Sequence, residues 1–200
     1  MTLRVISGKI NHKFDLGIIR FILFCYISIF LLKKRILRWL YRGLDYGNGR
    51  RYYFWRVKIL RALGAKIGIK EAIKDKVIIS KPENFTIGNG VSINQYCYLS
   101  CSGGVTIGND VSIAYGVTII TSSHDYTTAE KIKYAPLLIN PITIGSNVWI
   151  GMNSMILSGV LINYNVVVGA GALVNKEVSS SSIVGGLPAR VLSEILRKEI

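Results

Sequence analysis

Hydrophobic residues recur at every sixth position through the last two thirds of the chain. The series restarts twice after a shift of two residues, and its final run holds six consecutive positions without a shift. The periodic residues are Ile67, Ile73, Ile79, Ile87, Ile93, Leu99, Ile107, Ile113, Ile119, Ile144, Ile150, Ile156, Ile162, Val168 and Val174. A second aliphatic residue commonly precedes each one by two positions, and side chains alternate along a strand, so both lie on one face. The pattern predicts one short, half-buried strand in every six residues.

Turn-forming residues follow many of these strands. Glycine comes directly after the periodic residue at Gly88, Gly108 and Gly145, with asparagine or aspartate often one or two positions later, and these residues adopt turn dihedrals at little cost. Three six-residue units close one coil of 18 residues, or 20 with a corner insertion, and stacked coils bury a continuous aliphatic axis. We therefore predict a mainly β fold, a parallel β-helix of about five coils. A sandwich of hairpins would instead space its strands by about 8–12 residues.

The first third of the chain has a different pattern. Residues 16–32 are apolar except for Arg20, which is borderline for a membrane-spanning helix of roughly 17–25 residues. Basic and aromatic residues alternate with aliphatic ones directly afterwards and again over residues 50–66. Basic side chains attract anionic headgroups, and Trp and Tyr favour the interface, so residues 1–62 are predicted to be a helical, membrane-associating segment. A buried helix packed on the main domain is the alternative.

Charge separates the same two parts of the chain. The net charge is +14, yet residues 1–66 hold 15 of the 25 basic residues and only 2 of the 11 acidic ones. No helix-turn-helix, zinc or RNA-binding motif accompanies this basic region, so nucleic acid is not an expected partner. We divide the chain into residues 1–62 and a repeat domain, residues 63–200. Residues 191–200 are expected to form a short helix that covers the last coil.

Few residues could support metal or covalent chemistry. Three cysteines are too few for a disulfide scaffold and indicate a reducing compartment. Cys97 falls at an inward position of the repeat and Cys101 at a corner. Of the two histidines only His124 lies in the repeat domain, so a metal site built from three imidazoles is excluded and no metal is expected.

Five segments of the chain carry a resemblance to a known family: RALGAKIG (61–68), SSHDYT (122–127), PITIGSNVWIGMNSMILSGV (141–160), VVVGAGALVNKEV (166–178) and VGGLPARVL (184–192). On these segments the chain resembles the hexapeptide-repeat acyltransferases. The likeness is to the O-acetyltransferase branch that includes maltose, galactoside and colanic-acid acetyltransferases. The resemblance implies a left-handed winding, a homotrimer and acetyl-CoA as co-substrate, none of which follows from the six-residue period.

The resemblance places catalysis in the long interruption of the repeat, residues 121–141. His124 is there the expected general base that takes the proton of an acceptor hydroxyl, a task suited to an imidazole. Asp125 either orients the imidazole beside the substrate or only solvates the loop. Asn94, in the coil below, assists in the maltose and galactoside branch, although an outward turn residue needs no function. Trp149 occupies an outward strand position and is expected to form a wall of the acceptor site.

A groove between adjacent subunits is the expected coenzyme A site. The family lines it with backbone from a GAG turn and with a Thr-Lys pair, and this chain has asparagine in place of the threonine. Backbone N–H groups near residues 149–152 would hold the tetrahedral oxyanion. The implied cofactor contacts are Met152, Gly169, Ala170, Asn175, Lys176 and Arg190.

The expected function is direct transfer of acetyl from acetyl-CoA to a sugar hydroxyl, an EC 2.3.1 type reaction. The product would belong to cell-surface polysaccharide biosynthesis, such as capsule, O-antigen or exopolysaccharide. The apolar, basic N-terminus indicates a lipid-linked oligosaccharide acceptor and attachment to the cytoplasmic face of the inner membrane. Two alternatives stay open: a soluble nucleotide-sugar or small-molecule acceptor, and a non-catalytic, membrane-tethered β-helix scaffold.

Overall fold

The computed structural model describes residues 31–44, 50–128 and 130–196. Two helices come first, α1 over residues 31–43 and α2 over Arg50–Ala62. The Tyr41 hydroxyl of α1 donates to the Val77 carbonyl at 2.9 Å, and its ring lies 5.2 Å from the Arg56 guanidinium of α2. These contacts attach both helices to the first part of the β domain, and the helical prediction for the N-terminal segment is confirmed over these residues.

The apolar run at residues 16–32 lies outside the described residues except for its last two positions. Among the helices within the described ranges, none combines the length and apolarity needed to cross a membrane.

The β domain is a parallel solenoid with three faces, and each turn contributes one strand to each face. The first face contains β1 (Lys66–Ile67), β4 (Phe85–Ile87), β7 (Val105–Ile107), β12 (Ile142–Ile144) and β15 (Leu161–Ile162). The second face contains β2 (Ala72–Ile73), β5 (Ser92–Ile93), β8 (Ser112–Ile113), β13 (Val148–Ile150), β16 (Val166–Val168), β18 (Ser182–Gly185) and β19 (Arg190–Glu194). The third face contains β3 (Ile78–Ser80), β6 (Tyr98–Ser100), β9 (Thr118–Ile120), β14 (Met155–Ile156) and β17 (Leu173–Val174).

Equivalent positions of successive turns stack in register along the axis. On the first face Ile87 pairs with Ile107, Ile107 with Ile144, and Ile144 with Ile162. All four side chains are buried, and each such burial contributes about 1.5–3 kcal/mol. The six-residue period is therefore confirmed as the repeat of a solenoid. A bridge from Ile162 to Val178, together with β18, adds a partial sixth turn to the five complete ones.

The prediction of a short helix over residues 191–200 is wrong for residues 191–196. Residues Arg190–Glu194 form β19, which pairs antiparallel with β18 instead of forming a helix. The last turn leaves a strand edge whose N–H and C=O groups need partners. A returning strand supplies those hydrogen bonds, whereas the backbone groups of a helix are already paired within the helix. Residues 197–200 lie outside the described residues.

One hairpin interrupts the stack between β9 and β12. Its strands, β10 (Ser122–His124) and β11 (Leu137–Ile139), pair antiparallel. The hairpin leaves the solenoid where the third face connects to the first, which we call the third corner; the second corner joins the second and third faces. The buried Thr121 anchors its base, since its hydroxyl donates to the Ser100 carbonyl at 2.7 Å and accepts from the Gly103 N–H at 2.9 Å.

Candidate active site

His124 ends strand β10, where it lies opposite Leu137 on β11. Its side chain is exposed, and its Nδ1 lies 3.2 Å from the Ala135 carbonyl oxygen. A carbonyl oxygen can only accept a hydrogen bond, so in the neutral imidazole this contact places the proton on Nδ1 and the lone pair on Nε2. The hairpin therefore holds an accessible imidazole in the tautomer that a general base requires.

Ala135 is a site residue that the sequence reasoning missed. Its contribution comes from the backbone carbonyl, which every residue type possesses. No sequence signal could have identified it, because only the pairing of β10 with β11 brings residue 135 beside the imidazole.

Asp125 is engaged within the loop. Its Oδ1 accepts hydrogen bonds from the Thr127 hydroxyl at 2.6 Å and the Thr127 N–H at 3.1 Å. These bonds stabilise the ionised carboxyl and lower the pKa of Asp125. The Asp125 N–H donates to the Pro136 carbonyl at 2.9 Å. These contacts hold Asp125 within the loop, and its orientation of the imidazole and its contact with a substrate stay predictions.

Trp149 projects from the middle of the second face, as predicted. Its neighbours Val148 and Ile150 are buried, whereas the Trp149 side chain is 56% exposed. In register it lies between Ser112 of β8 and Val167 of β16. The indole thus stands beside the small Ser112 side chain of the turn below and is accessible to solvent, and its role as a wall of the acceptor site stays a prediction.

Asn94 lies at the second corner, where its amide bonds to neighbouring turns, and its catalytic assistance stays a prediction. Its Nδ2 donates to the Ile113 carbonyl at 2.9 Å, and its Oδ1 accepts from Lys74 Nζ at 2.5 Å. The amide therefore links three successive turns. Among the described contacts none joins Asn94 or Trp149 to His124, which belongs to the hairpin at the third corner.

The predicted cofactor residues fall into separate groups. At the second corner the Gly171 N–H donates to the Met152 carbonyl at 2.7 Å, which stacks Met152 below the turn of Gly169 and Ala170. Asn175 and Lys176 follow β17 and are exposed at the third corner. Arg190 begins β19, is exposed, and donates from Nη1 to the Ala189 carbonyl at 2.8 Å. One chain therefore presents these residues in different directions.

The sequence reasoning also did not identify an aromatic pair at the second corner. The rings of Tyr96 and Tyr115 lie 5.0 Å apart at a tilt of 44°, and Lys76 Nζ lies 4.7 Å from the Tyr96 ring. The available signal was an aromatic residue in the corner segment of two successive turns, Asn94–Cys97 and Ala114–Val117.

The two cysteines of the solenoid are protonated at neutral pH. Burial raises the pKa of Cys97 to about 11 and that of Cys101 to about 12. Because the thiolate is the nucleophilic form, neither residue is suited to carry an acyl group. Across the described ranges no three His, Cys, Asp or Glu side chains come together as a metal site would require.

Comparisons with known proteins agree with this architecture. Residues 141–176 match the family model described as bacterial transferase hexapeptide (six repeats). The chain is 34% identical over 140 residues to galactoside O-acetyltransferase of Escherichia coli strain K12, covering 70% of this chain and 68% of that protein. It is 31% identical over 147 residues to a protein of the same strain provisionally named colanic acid biosynthesis acetyltransferase WcaF, covering 74% and 79% of the two chains.

A solved structure shares the fold. The hexapeptide-repeat acetyltransferase VCA0836 of Vibrio cholerae O1 biovar eltor, in complex with acetyl-CoA, superposes with a TM-score of 0.71 at 26% identity, covering 82% of this chain and 88% of that one. The chain belongs to the hexapeptide-repeat acetyltransferases.

Proposed function

We propose that this chain transfers an acetyl group from acetyl-CoA to a sugar hydroxyl, with His124 as the general base. The observation that carries the proposal is the bond between His124 Nδ1 and the Ala135 carbonyl, which leaves Nε2 free to accept a proton. A positioned general base accelerates such a step by roughly 10²–10⁴. The acceptor class is supported by the similarity to galactoside O-acetyltransferase, and the donor by the acetyl-CoA complex of VCA0836.

The proposed reaction is a direct transfer. Nε2 of His124 takes the hydroxyl proton while the sugar oxygen attacks the thioester carbonyl carbon. The tetrahedral intermediate then collapses, the C–S bond breaks, and the imidazolium returns the proton to the leaving coenzyme A sulfur. No acyl-enzyme is needed, and the raised pKa values of Cys97 and Cys101 argue against one.

A second copy of the chain would complete the site. His124 and Lys176 lie at the third corner, whereas Trp149 and Met152 lie on the second face and second corner. Packing the third corner of one copy against the second corner of another brings both groups to one groove, and a closed ring of such contacts is the homotrimer implied by the resemblance. Lys176 would then meet a phosphate of the coenzyme, with Arg190 as a second cation.

Exposed apolar residues on the hairpin support this assembly. Leu137, Leu138 and Ile139 are each about half exposed, and Tyr134 is 73% exposed. An isolated two-stranded ribbon is marginally stable, and contiguous apolar surface marks interaction sites. A neighbouring subunit would cover these side chains and hold His124 in place.

We place the enzyme at an anionic membrane surface, with a lipid-linked oligosaccharide of polysaccharide biosynthesis as its acceptor. Leu32, Ile36 and Trp39 lie one or two helical turns apart on α1, on the side away from the buried Tyr41. Each is at least half exposed, and Trp39 is 74% exposed. Basic residues flank this apolar stripe: Arg35, Arg38 and Arg42. The combination is typical of helices that lie in the membrane interface.

The decisive experiment measures coenzyme A release by the full-length chain with acetyl-CoA and a panel of soluble sugars and lipid-linked saccharides. We expect His124→Ala to lower kcat by about 10²–10⁴, and Cys97→Ala to keep it. Mixing His124→Ala and Trp149→Ala subunits should restore activity if the site is shared between copies. A His124→Ala enzyme with the wild-type rate would refute the proposed base.

Membrane attachment is tested separately by flotation with vesicles that contain anionic lipid. We expect the full-length chain to float, and Trp39→Ser to float less well. A chain that stays in solution and acetylates a soluble sugar would favour the alternative acceptor class.

A further inference from the structure

A cavity lies between α1 and the third face of the first two turns. Its volume is about 1070 Å³, enough for a lipid headgroup with part of its chain. Leu60, Ile78 and Tyr98 contribute apolar walls, and the mostly exposed Trp39 of α1 lies at the rim. The cavity is thus an open cleft, bounded by a basic helix on one side and by the solenoid on the other.

Positive charge is concentrated in this cavity. Arg38, Arg42 and Lys81 line it, and none of the described residues that line it is acidic. No ion-pair partner for these three cations occurs in the described part of the chain. Cations beside apolar walls favour a ligand that carries both an anionic group and an apolar group, and guanidinium groups pair well with phosphate oxygens.

The far end of the cavity adjoins the catalytic hairpin. Ser100 and Ser102 line that end. The Ser100 carbonyl accepts a hydrogen bond from Thr121, which lies three residues before His124. Because adjacent strands in a sheet are about 4.8 Å apart, this end of the cavity is about one turn from the base of the hairpin. A sugar attached to a group held in the cavity would extend towards the third corner.

The near end of the cavity adjoins the membrane-facing helix. Arg38, Trp39 and Arg42 belong to α1, whose apolar stripe we place in the interface. A ligand whose chain remained in the membrane could therefore reach the cavity without leaving the lipid surface.

We propose that this cavity binds the phosphate or pyrophosphate group and the adjoining apolar chain of a lipid-linked sugar, and so presents the sugar to His124. This inference rests on the proposed acetyltransferase function and gives its lipid-linked acceptor a binding site. The occupant is the anionic lipid headgroup, chosen over a neutral lipid by the three cations and over free phosphate by the apolar walls.

The test is calorimetric titration of the full-length chain with farnesyl monophosphate, kept below its micelle concentration. Farnesol and inorganic phosphate are the reference ligands. We expect farnesyl monophosphate to bind, and both reference ligands to bind at least about tenfold more weakly because each lacks one half of the recognition.

Two matched charge variants locate the binding site. Arg38→Gln/Arg42→Gln removes two cavity cations, and we expect at least about tenfold weaker binding of farnesyl monophosphate. Lys33→Gln/Arg35→Gln removes two exposed cations of the same helix that do not line the cavity, and we expect unchanged binding. Far-UV circular dichroism of each variant checks that the fold is retained.

Several outcomes would overturn the inference. An equal loss of farnesyl monophosphate affinity in both variant pairs would indicate attraction by general surface charge. Farnesol binding as tightly as farnesyl monophosphate would show that the phosphate group is not recognised, and inorganic phosphate binding as tightly would show that the apolar chain is not. Absence of binding to the full-length chain would mean that another segment or another copy fills the cavity. Coenzyme A release with acetyl-CoA and the same panel of soluble and lipid-linked saccharides separates the two proposals. Turnover without farnesyl monophosphate binding refutes only this inference, and farnesyl monophosphate binding without turnover on any saccharide refutes the proposed acetyl transfer but not the lipid site.

Discussion

Apolar side chains are buried in the stacked turns and exposed in the β10–β11 hairpin. In the turns, Ile113 and Ile150 are fully buried, and their strands pair with neighbours on both sides. In the hairpin, each strand pairs on one side only, and Leu137, Leu138 and Ile139 are exposed. The turns therefore complete their own packing, whereas the hairpin that carries His124 leaves apolar surface for the proposed second copy to cover.

The largest effect is expected where a turn loses a core side chain. Ile113→Ala should lower the free energy of unfolding by about 2–5 kcal/mol, because the stacked axis cannot close around the cavity left behind. The adjacent outward residue provides the control, and Ser112→Ala should cost less than about 1 kcal/mol. Urea unfolding measures both. Equal losses would contradict the alternation of inward and outward positions on the second face.

Two glycines at the second corner allow backbone strain to be separated from steric overlap. Gly116 and Gly171 both have positive φ, +71° and +70°. A side chain at Gly116 would overlap Asn153 Oδ1, whereas nothing lies within 4 Å of a Cβ at Gly171. Gly171→Ala should cost about 1–2 kcal/mol from strain alone, and Gly116→Ala should cost more. Thermal unfolding without coenzyme A measures the stability loss of both variants. A smaller loss for Gly116→Ala than for Gly171→Ala would show that Asn153 moves away from the new side chain at little cost.

A smaller effect is expected when the hairpin loses apolar surface. Leu138→Ser should weaken subunit association by about 1–3 kcal/mol while leaving the stability of the isolated subunit nearly unchanged. Ile69→Ser alters another exposed apolar residue, in the first turn, and serves as the control. Sedimentation velocity over a concentration series reports the assembly. An unchanged profile for Leu138→Ser would remove the hairpin from the proposed interface.

The smallest effect concerns the loop carboxyl. Hydrogen bonds from Thr127 lower the pKa of Asp125, so their contribution is present above the ordinary carboxyl pKa and is lost as the pH falls through the lowered one. Thr127→Val removes the hydroxyl donor and should move the pKa of Asp125 up towards its ordinary value. An NMR titration of the Asp125 carboxyl carbon measures the change. No change would assign the lowered pKa to the Thr127 backbone N–H and the Thr128 hydroxyl.

The repeat could be predicted because one short rule is applied many times. A β-branched residue every six positions, often followed by glycine or asparagine, has few structural solutions, and the six periodic residues from Ile144 to Val174 keep this spacing without a break. The terminal strand β19 could not be predicted this way. Val191 and Leu192 are exposed in the structure, and their pairing depends on the free edge of β18, which exists only once the solenoid has formed.

The site was predictable in its residues more than in its geometry. His124 and Trp149 lie at accessible positions as expected. The hydrogen-bond partner of the imidazole is the Ala135 backbone carbonyl, and the Asp125 carboxylate accepts a hydrogen bond from Thr127. Such contacts depend on how a loop folds back on itself, and residue types within the loop carry little information about that path.

Side-chain periodicity by itself determined the class of fold, and the distribution of charge distinguished a basic first third from a nearly neutral remainder. These follow from local chemistry, which each residue carries wherever it is placed. The role of His124 as a base came from the family resemblance and stays a prediction. Only the tertiary structure decided which nitrogen of His124 keeps its proton, how the last strand ends the sheet, and which cations line a cavity beneath α1. Those properties depend on groups far apart in the chain, whose distances are set by packing.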